Sequence, residues 1–222
     1  MKKLLIAIFS LSLLCFSANA LEKRIGFSLT SADLDTKVTD DVDSNGTIDT
    51  TKDLSNRVTV PSIFLELAQS LPNGGIVSAG LDFIPGTAEL EHESTTQTKN
   101  NDNAAATSGT NSGTLDASNH ITAYVTLGGE VNGTEIFVLG GMMYAEGEYD
   151  LKSVSSTNRT GNVNIQGTKL GIGLKRDIGA AFVKLMLSDN DYDPVSATTS
   201  NATKVTADLD STNITLSVGK SF

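Results

Sequence analysis

Apolar and polar residues alternate with a period of two along most of this chain, the mark of a strand with two different faces. Ile63, Leu65 and Leu67 alternate with Ser62, Phe64, Glu66 and Ala68, and Ile121, Ala123, Val125 and Leu127 with Thr122, Tyr124, Thr126 and Gly128. Leu170, Ile172 and Leu174 alternate with Lys169, Gly171, Gly173 and Lys175, and Val183, Leu185 and Leu187 with Phe182, Lys184, Met186 and Ser188. The last segment sets Ile214, Leu216, Val218 and Phe222 against Asn213, Thr215, Ser217, Gly219 and Ser221. This pattern predicts eight strands, at 23–34, 57–70, 75–91, 119–131, 135–151, 162–176, 180–190 and 204–222.

The connections alternate in length. Leu71–Gly74, Asn132–Thr134 and Asp177–Gly179 are tight, and the first two contain Asn-Gly, which supplies the positive φ of a short hairpin turn. Residues 35–56, 92–118, 152–161 and 191–203 are long. A membrane barrel needs this rhythm, with short periplasmic turns and long extracellular loops. A Greek-key sandwich would need long connections crossing between sheets. The second face, of Gly, Ser, Thr and scattered charges, suits a narrow polar lumen, and closure satisfies every backbone group inside lipid. The expectation is an all-β, eight-stranded antiparallel up-and-down transmembrane β-barrel, or ten strands if 92–118 hides a further hairpin.

The first 20 residues differ from the rest. Lys2-Lys3, an apolar run from Leu4 to Phe16 and Ala18-Asn19-Ala20 read as a secretory signal peptide cleaved before Leu21, leaving 21–222 as the barrel. That run is too short to span a bilayer, and the longest later apolar stretch, Ile136 to Met143, contains two glycines. Cleavage removes Cys15, the sole cysteine, so disulfides, thiol catalysis and thiolate metal sites are not expected. The net charge is −10 for the whole chain, which argues against nucleic acid, whose phosphates call for clustered Lys and Arg.

The C-terminal segment Ile214-Thr-Leu-Ser-Val-Gly-Lys-Ser-Phe222 resembles the terminal strand of Gram-negative outer-membrane barrels, although Lys220 stands where an aromatic residue is usual. With the export signal and the eight strands, the chain resembles the small outer-membrane barrels of the OmpA and OmpX type. The resemblance implies a monomer in the bacterial outer membrane, contacting its lipids and lipopolysaccharide. It also implies that Ile214, Leu216, Val218 and Phe222 form a signal for the barrel-assembly machinery.

Candidate chemistry is sparse. Gly219-Lys220-Ser221 and Ser217-x-x-Lys220 imitate a phosphate loop and a nucleophile motif, but both fall within the final strand, where neither can work. His92 and His120 flank the longest loop, with Ser118, Asp116, Glu91 and Glu93 nearby, the residue types that lipid A-modifying barrels employ. Solvated histidines at a loop base are the simpler reading, and no enzyme is expected. Parity turns Glu66, Asp82, Glu130, Lys169 and Lys184 inward, while that of Glu146 depends on whether Gly140-Gly141 hosts a bulge. An eight-stranded lumen has room for side chains and little else, so Lys169 and Lys184 should form ion pairs with acids on neighbouring strands and plug it. The expected role is structural and surface-interacting, the alternatives being a small-solute channel and, less favoured, lipid A modification.

Two segments remain. Residues 92–118 form a Thr/Asn/Ala/Ser/Gly-rich run read as a solvent-facing loop. Asp41-Val-Asp43-Ser-Asn45-Gly46-Thr47-Ile48-Asp49 matches the opening of a calcium loop, with ligand oxygens at alternate positions and a glycine at the turn. Lys52 stands where the closing Glu belongs, so the segment reads either as a weak Ca²⁺ site or as a run of solvated acids. No other cofactor is expected.

Overall fold

A computed structural model describes residues 21–41, 46–48, 50–92, 96–99, 107–110, 112–152, 159–198 and 204–222. The expected signal peptide, 1–20, lies outside them. The strands are β1 (Glu22–Asp41), β2 (Thr50–Ser70), β3 (Gly75–His92), β4 (Thr96–Lys99), β5 (Thr107–Thr110), β6 (Ser112–Val131), β7 (Thr134–Lys152), β8 (Arg159–Ile178), β9 (Ala181–Tyr192), β10 (Val195–Thr198) and β11 (Lys204–Ser221). Eight of them, β1-β2-β3-β6-β7-β8-β9-β11, pair antiparallel in chain order, and β11 returns to β1 to close a barrel. β10 pairs with the outer end of β11, and β4 with β5 as a separate two-stranded sheet, so the barrel itself keeps eight strands.

The ladder registers fix the shape. Directly opposed residues run from Glu66 through Gly80, Tyr124, Gly141, Lys169, Asn190, Ser211 and Leu34 to Asn56. The circuit therefore rejoins β2 ten residues from its start. A stagger of that size on eight strands tilts them by roughly 40° to the barrel axis, within the usual range.

The two faces separate as alternation requires. Phe27, Leu29, Leu65, Leu81, Leu127, Val138, Leu170, Ile172, Leu185, Leu216 and Val218 are all exposed on the outside, forming an apolar belt. In water such a surface would be a severe liability; in a bilayer it is the solvated one. Inside, Ser28, Ser62, Ser78, Thr122, Thr126, Asn213, Thr215 and Ser217 are buried. Their hydroxyls pair across ladders, Ser78 with Thr126 at 2.6 Å and Ser28 with Ser217 at 2.8 Å.

Several strands are longer than the alternation indicated. β1 continues to Asp41, β2 begins at Thr50 and β6 at Ser112. Outside the belt neither face must be apolar, so the sequence loses its period while the backbone keeps pairing. Much of 92–118, expected as loop, is therefore sheet: β6 pairs with β3 as far as His92↔Gly113. Gly140-Gly141 carries no bulge; the register shifts fall at Ile84/Thr87 and Ser118/Ile121. The second shift contains Asn119, at φ 52°, a conformation that asparagine tolerates better than most residues. Glu146 accordingly points outward and accepts a hydrogen bond from Asn119 Nδ2 at 2.8 Å.

The closed cylinder does not persist to its outer end. The β2–β3 ladder stops at Ile63↔Phe83 and the β8–β9 ladder at Gly167↔Tyr192. Pro61, Pro85 and Pro194 stand beside these ends, where a residue without an N–H leaves the ladder one donor short. Beyond them the wall consists of two sheets, β10-β11-β1-β2 and β3-β6-β7-β8.

Candidate functional site

The periplasmic half of the lumen is filled by a network of charges. Arg24 of β1 donates from Nη1 to Glu66 Oε1 of β2 at 2.8 Å, and its Nη2 pairs with Glu135 Oε2 of β7 at 2.9 Å. The same guanidinium reaches Glu22 at the periplasmic mouth, also at 2.9 Å. Lys184 of β9 donates to Glu66 Oε2 at 3.1 Å, and the Tyr124 hydroxyl of β6 to that oxygen at 3.0 Å. Lys175 of β8 sits 2.9 Å from Asp177 and 3.9 Å from Glu135. Glu66, with 2% of its surface exposed, is the hub, holding two cations and a phenol at once.

Aromatic rings close the gaps around the charges. Lys184 Nζ lies 4.2 Å from the Phe64 ring centre and Lys175 Nζ 5.2 Å from that of Phe182, cation–π contacts in a poorly solvated space. The rings fit because glycines face them on neighbouring strands. A Cβ at Gly80 would strike Tyr124, one at Gly173 would strike Phe137, and one at Gly219 would strike Phe182. The glycines leave room for large rings in a lumen of this width.

Of the charges expected inside, Glu66 and Lys184 form a direct ion pair. It bridges β2 and β9, which are not neighbours, rather than adjacent strands. Asp82 accepts a hydrogen bond from Ser62 Oγ at 3.0 Å, and Lys169 lies on the far wall. Among the described residues no carboxylate oxygen comes within 4.0 Å of Lys169 Nζ, so the expected ion pair of this lysine is not a direct one. Glu130 keeps the expected inward parity, standing directly opposite the buried Glu135, but it is exposed at the strand's end beside the Asn132-Gly133 turn and makes no ion pair among the described residues. Arg24, Glu135 and Lys175 complete the network but were not among the expected pairs. Their parity relative to Ser28, Phe137 and Lys169 is the signal that places them inside.

The other expected sites are less assembled. Asp43, Asn45 and Asp49 of the calcium-like segment lie outside the described residues; Asp41 Oδ2 accepts a hydrogen bond from Gly46 N at 2.8 Å, and Thr47 is exposed. Among the described residues no group of three or more His, Cys, Asp or Glu side chains is placed to hold a metal ion. His120 Nε2 lies 3.4 Å from the Tyr192 hydroxyl, whereas Ser118 Oγ turns to the Glu146 carbonyl, so these two do not form a nucleophile–base pair. At the C-terminus, Phe222 N donates to Lys23 O at 2.9 Å and Lys23 N to Phe222 O at 3.1 Å. Ile214, Leu216, Val218 and Phe222 are exposed on the outer face, and Lys220 Nζ lies 4.8 Å from the Phe222 ring centre.

Above the belt the outer surface turns acidic. Asp35, Asp210 and Asp191 stand in direct register on β1, β11 and β9. Partial desolvation, then Asp191, Asp208, Asp189 and Asp35, hold the Asp210 carboxyl above its ordinary value. A raised folded-state value means that the folded chain binds the proton more readily than the unfolded one. Stability from this group is therefore lost as pH rises through the carboxylate range and regained on acidification. Asp210→Asn is expected to raise the unfolding temperature of the refolded barrel at pH 7 and to give a smaller gain at pH 4. Gel mobility after graded heating measures both.

No protein-family model matches the chain, and no curated protein matches it in sequence. Similar solved structures do exist. The outer-membrane protease OmpT from Escherichia coli superposes with a TM-score of 0.51 at 8% identity, covering 93% of this chain and 99% of that one. Ail, the attachment invasion locus protein of Yersinia pestis, gives 0.46 at 10% identity, covering 92% and 100%. Neisserial surface protein A gives 0.35 at 8%, covering 88% and 97%. At these identities the likeness is one of fold. Together with the closed eight-strand ladder and the lipid-facing belt, it gives this chain the fold of the small outer-membrane β-barrels.

Proposed function

We propose that this protein is a non-conducting, non-enzymatic surface-interaction barrel of the bacterial outer membrane, held there by lipid and lipopolysaccharide contacts. The observation that carries the reading is a lumen closed by the Arg24–Glu66–Glu135–Lys184 network in a wall whose strands continue outward past the belt. A channel would need a continuous polar path where Glu66, Phe64 and Phe182 are packed. Among the described residues, the β2 backbone outward of Ile63 has no strand paired on its β3 side, and the β8 backbone outward of Gln166 none on its β9 side. These are rows of groups to which an extended segment of another protein can add. The exposed apolar positions of the last strand support recognition by the barrel-assembly machinery.

One comparison tests the reading. Purified wild-type protein in planar bilayers is expected to show no nanosiemens conductance steps. Cells carrying a variant with 93–111 replaced by a tight turn are expected to insert the barrel normally but to bind matrix-coated surfaces several-fold less. Reproducible large steps would favour the channel, and undiminished binding would leave the β2 and β8 edges, rather than 93–111, as the interaction surface.

A further inference from the structure

Outward of the plug lies a cavity of about 20 Å³, lined in part by Ser28, Asp82, Thr122, Lys169, Thr215 and Ser217. Asp82 comes from β3 and Lys169 from β8, with β6 and β7 between them in the wall. Their charges interact, yet among the described residues no carboxylate oxygen lies within 4.0 Å of Lys169 Nζ. Asp82 Oδ2 is engaged by Ser62, and the Ser28 and Ser217 hydroxyls by each other. A half-buried ammonium and a half-buried carboxylate facing each other across a gap are poorly compensated unless something polar joins them. A cavity of this size holds one water, which needs about 10–15 Å³ and two to four polar partners.

We propose that this cavity is a built hydration site, in which one water accepts from the Lys169 ammonium and donates to the Asp82 carboxylate. It completes across the lumen an ion pair that the two side chains do not make directly. Thr122 and Thr215 also line the space, as do Tyr124 and Lys184 of the plug, both already bonded to Glu66. Two ammoniums line the space, but Lys184 is paired with Glu66, so the unpaired charges that face it, among the described residues, are those of Lys169 and Asp82. The carboxylate disfavours a small anion and the ammonium a cation, which leaves a neutral dipole as the occupant that both accept. The site is separate from the outer surface, so its failure would leave the surface-interaction reading standing.

Deuterium and oxygen-17 magnetic relaxation dispersion of the refolded barrel counts long-lived internal waters. Wild type is compared with Asp82→Asn, which keeps a polar partner, and with the charge-neutral pair Asp82→Leu with Lys169→Met, which removes both. The double variant avoids stranding either charge, and gel heat-modifiability checks that each variant is folded. Asp82→Asn is expected to keep the wild-type count and the double variant to lose one water. An unchanged count in the folded double variant would overturn the proposal. So would a direct Lys169–Asp82 hydrogen bond detected by scalar coupling to the ¹⁵N-labelled ammonium.

Discussion

Glu66→Ala is expected to be the most damaging single polar change in the lumen, because it leaves Arg24 and Lys184 without a shared acceptor and frees the Tyr124 hydroxyl. Breaking a buried charge pair from one side costs about 3–5 kcal/mol, since the surviving charge stays buried without compensation. Arg24 retains Glu135 and Glu22, which softens the loss on its side; Lys184 retains only ring contacts among those described. Adding Lys184→Met should therefore return part of the stability, and Arg24→Met should return less. Urea unfolding followed by gel mobility gives the coupling energies directly. Equal midpoints for Glu66→Ala and wild type would mean that the network does not hold the lumen shut.

The second large effect is expected at the line where the barrel closes. Gly26 of β1 stands directly opposite Gly219 of β11. A Cβ at Gly26 would run into the Val218 carbonyl oxygen and lie 2.8 Å from Gly219 Cα, both backbone atoms that no rotamer change can move. Phe64 Cε1, also at 2.8 Å, blocks the remaining direction. Gly26→Val should cost at least the ~3 kcal/mol upper end of ordinary overpacking and reduce the heat-resistant folded form to a trace. Leu216→Val, on the lipid face of the same ladder, should leave that form nearly intact. Comparable yields of folded barrel from both variants would sink the argument.

The architecture was legible because the bilayer imposes a strict rule on one face of every strand. Ile63, Leu65 and Leu67, or Ile214, Leu216 and Val218, announce their strands through that rule alone. The tight turns at Asn132-Gly133 and Gly179 followed from the positive φ they require. Outside the belt the rule lapses, which is why Thr36 to Asp41 and Ser112 to Ser118 read as loop although they pair. Parity likewise places Glu66 and Lys184 inside but cannot name their partners. Those are set by the ten-residue stagger, a sum over all eight ladders that no local segment contains. Lys169 shows the limit: its face was readable, its distance from every acid was not.

The circular order of the sheet has a consequence for the time course of assembly. Seven of its eight ladders join strands adjacent around the wall and consecutive among the barrel strands, so each can form soon after its second strand is available. The ladder between β1 and β11 is different, since Arg24 meets Ser221 across nearly the whole chain. Its closure entropy exceeds that of any hairpin and is recovered only when the other ladders have already brought the ends together. An open sheet with two unmatched edges is therefore the natural late intermediate, and the rate of its closure should respond to Gly26 and Gly219 far more than to the hairpin turns.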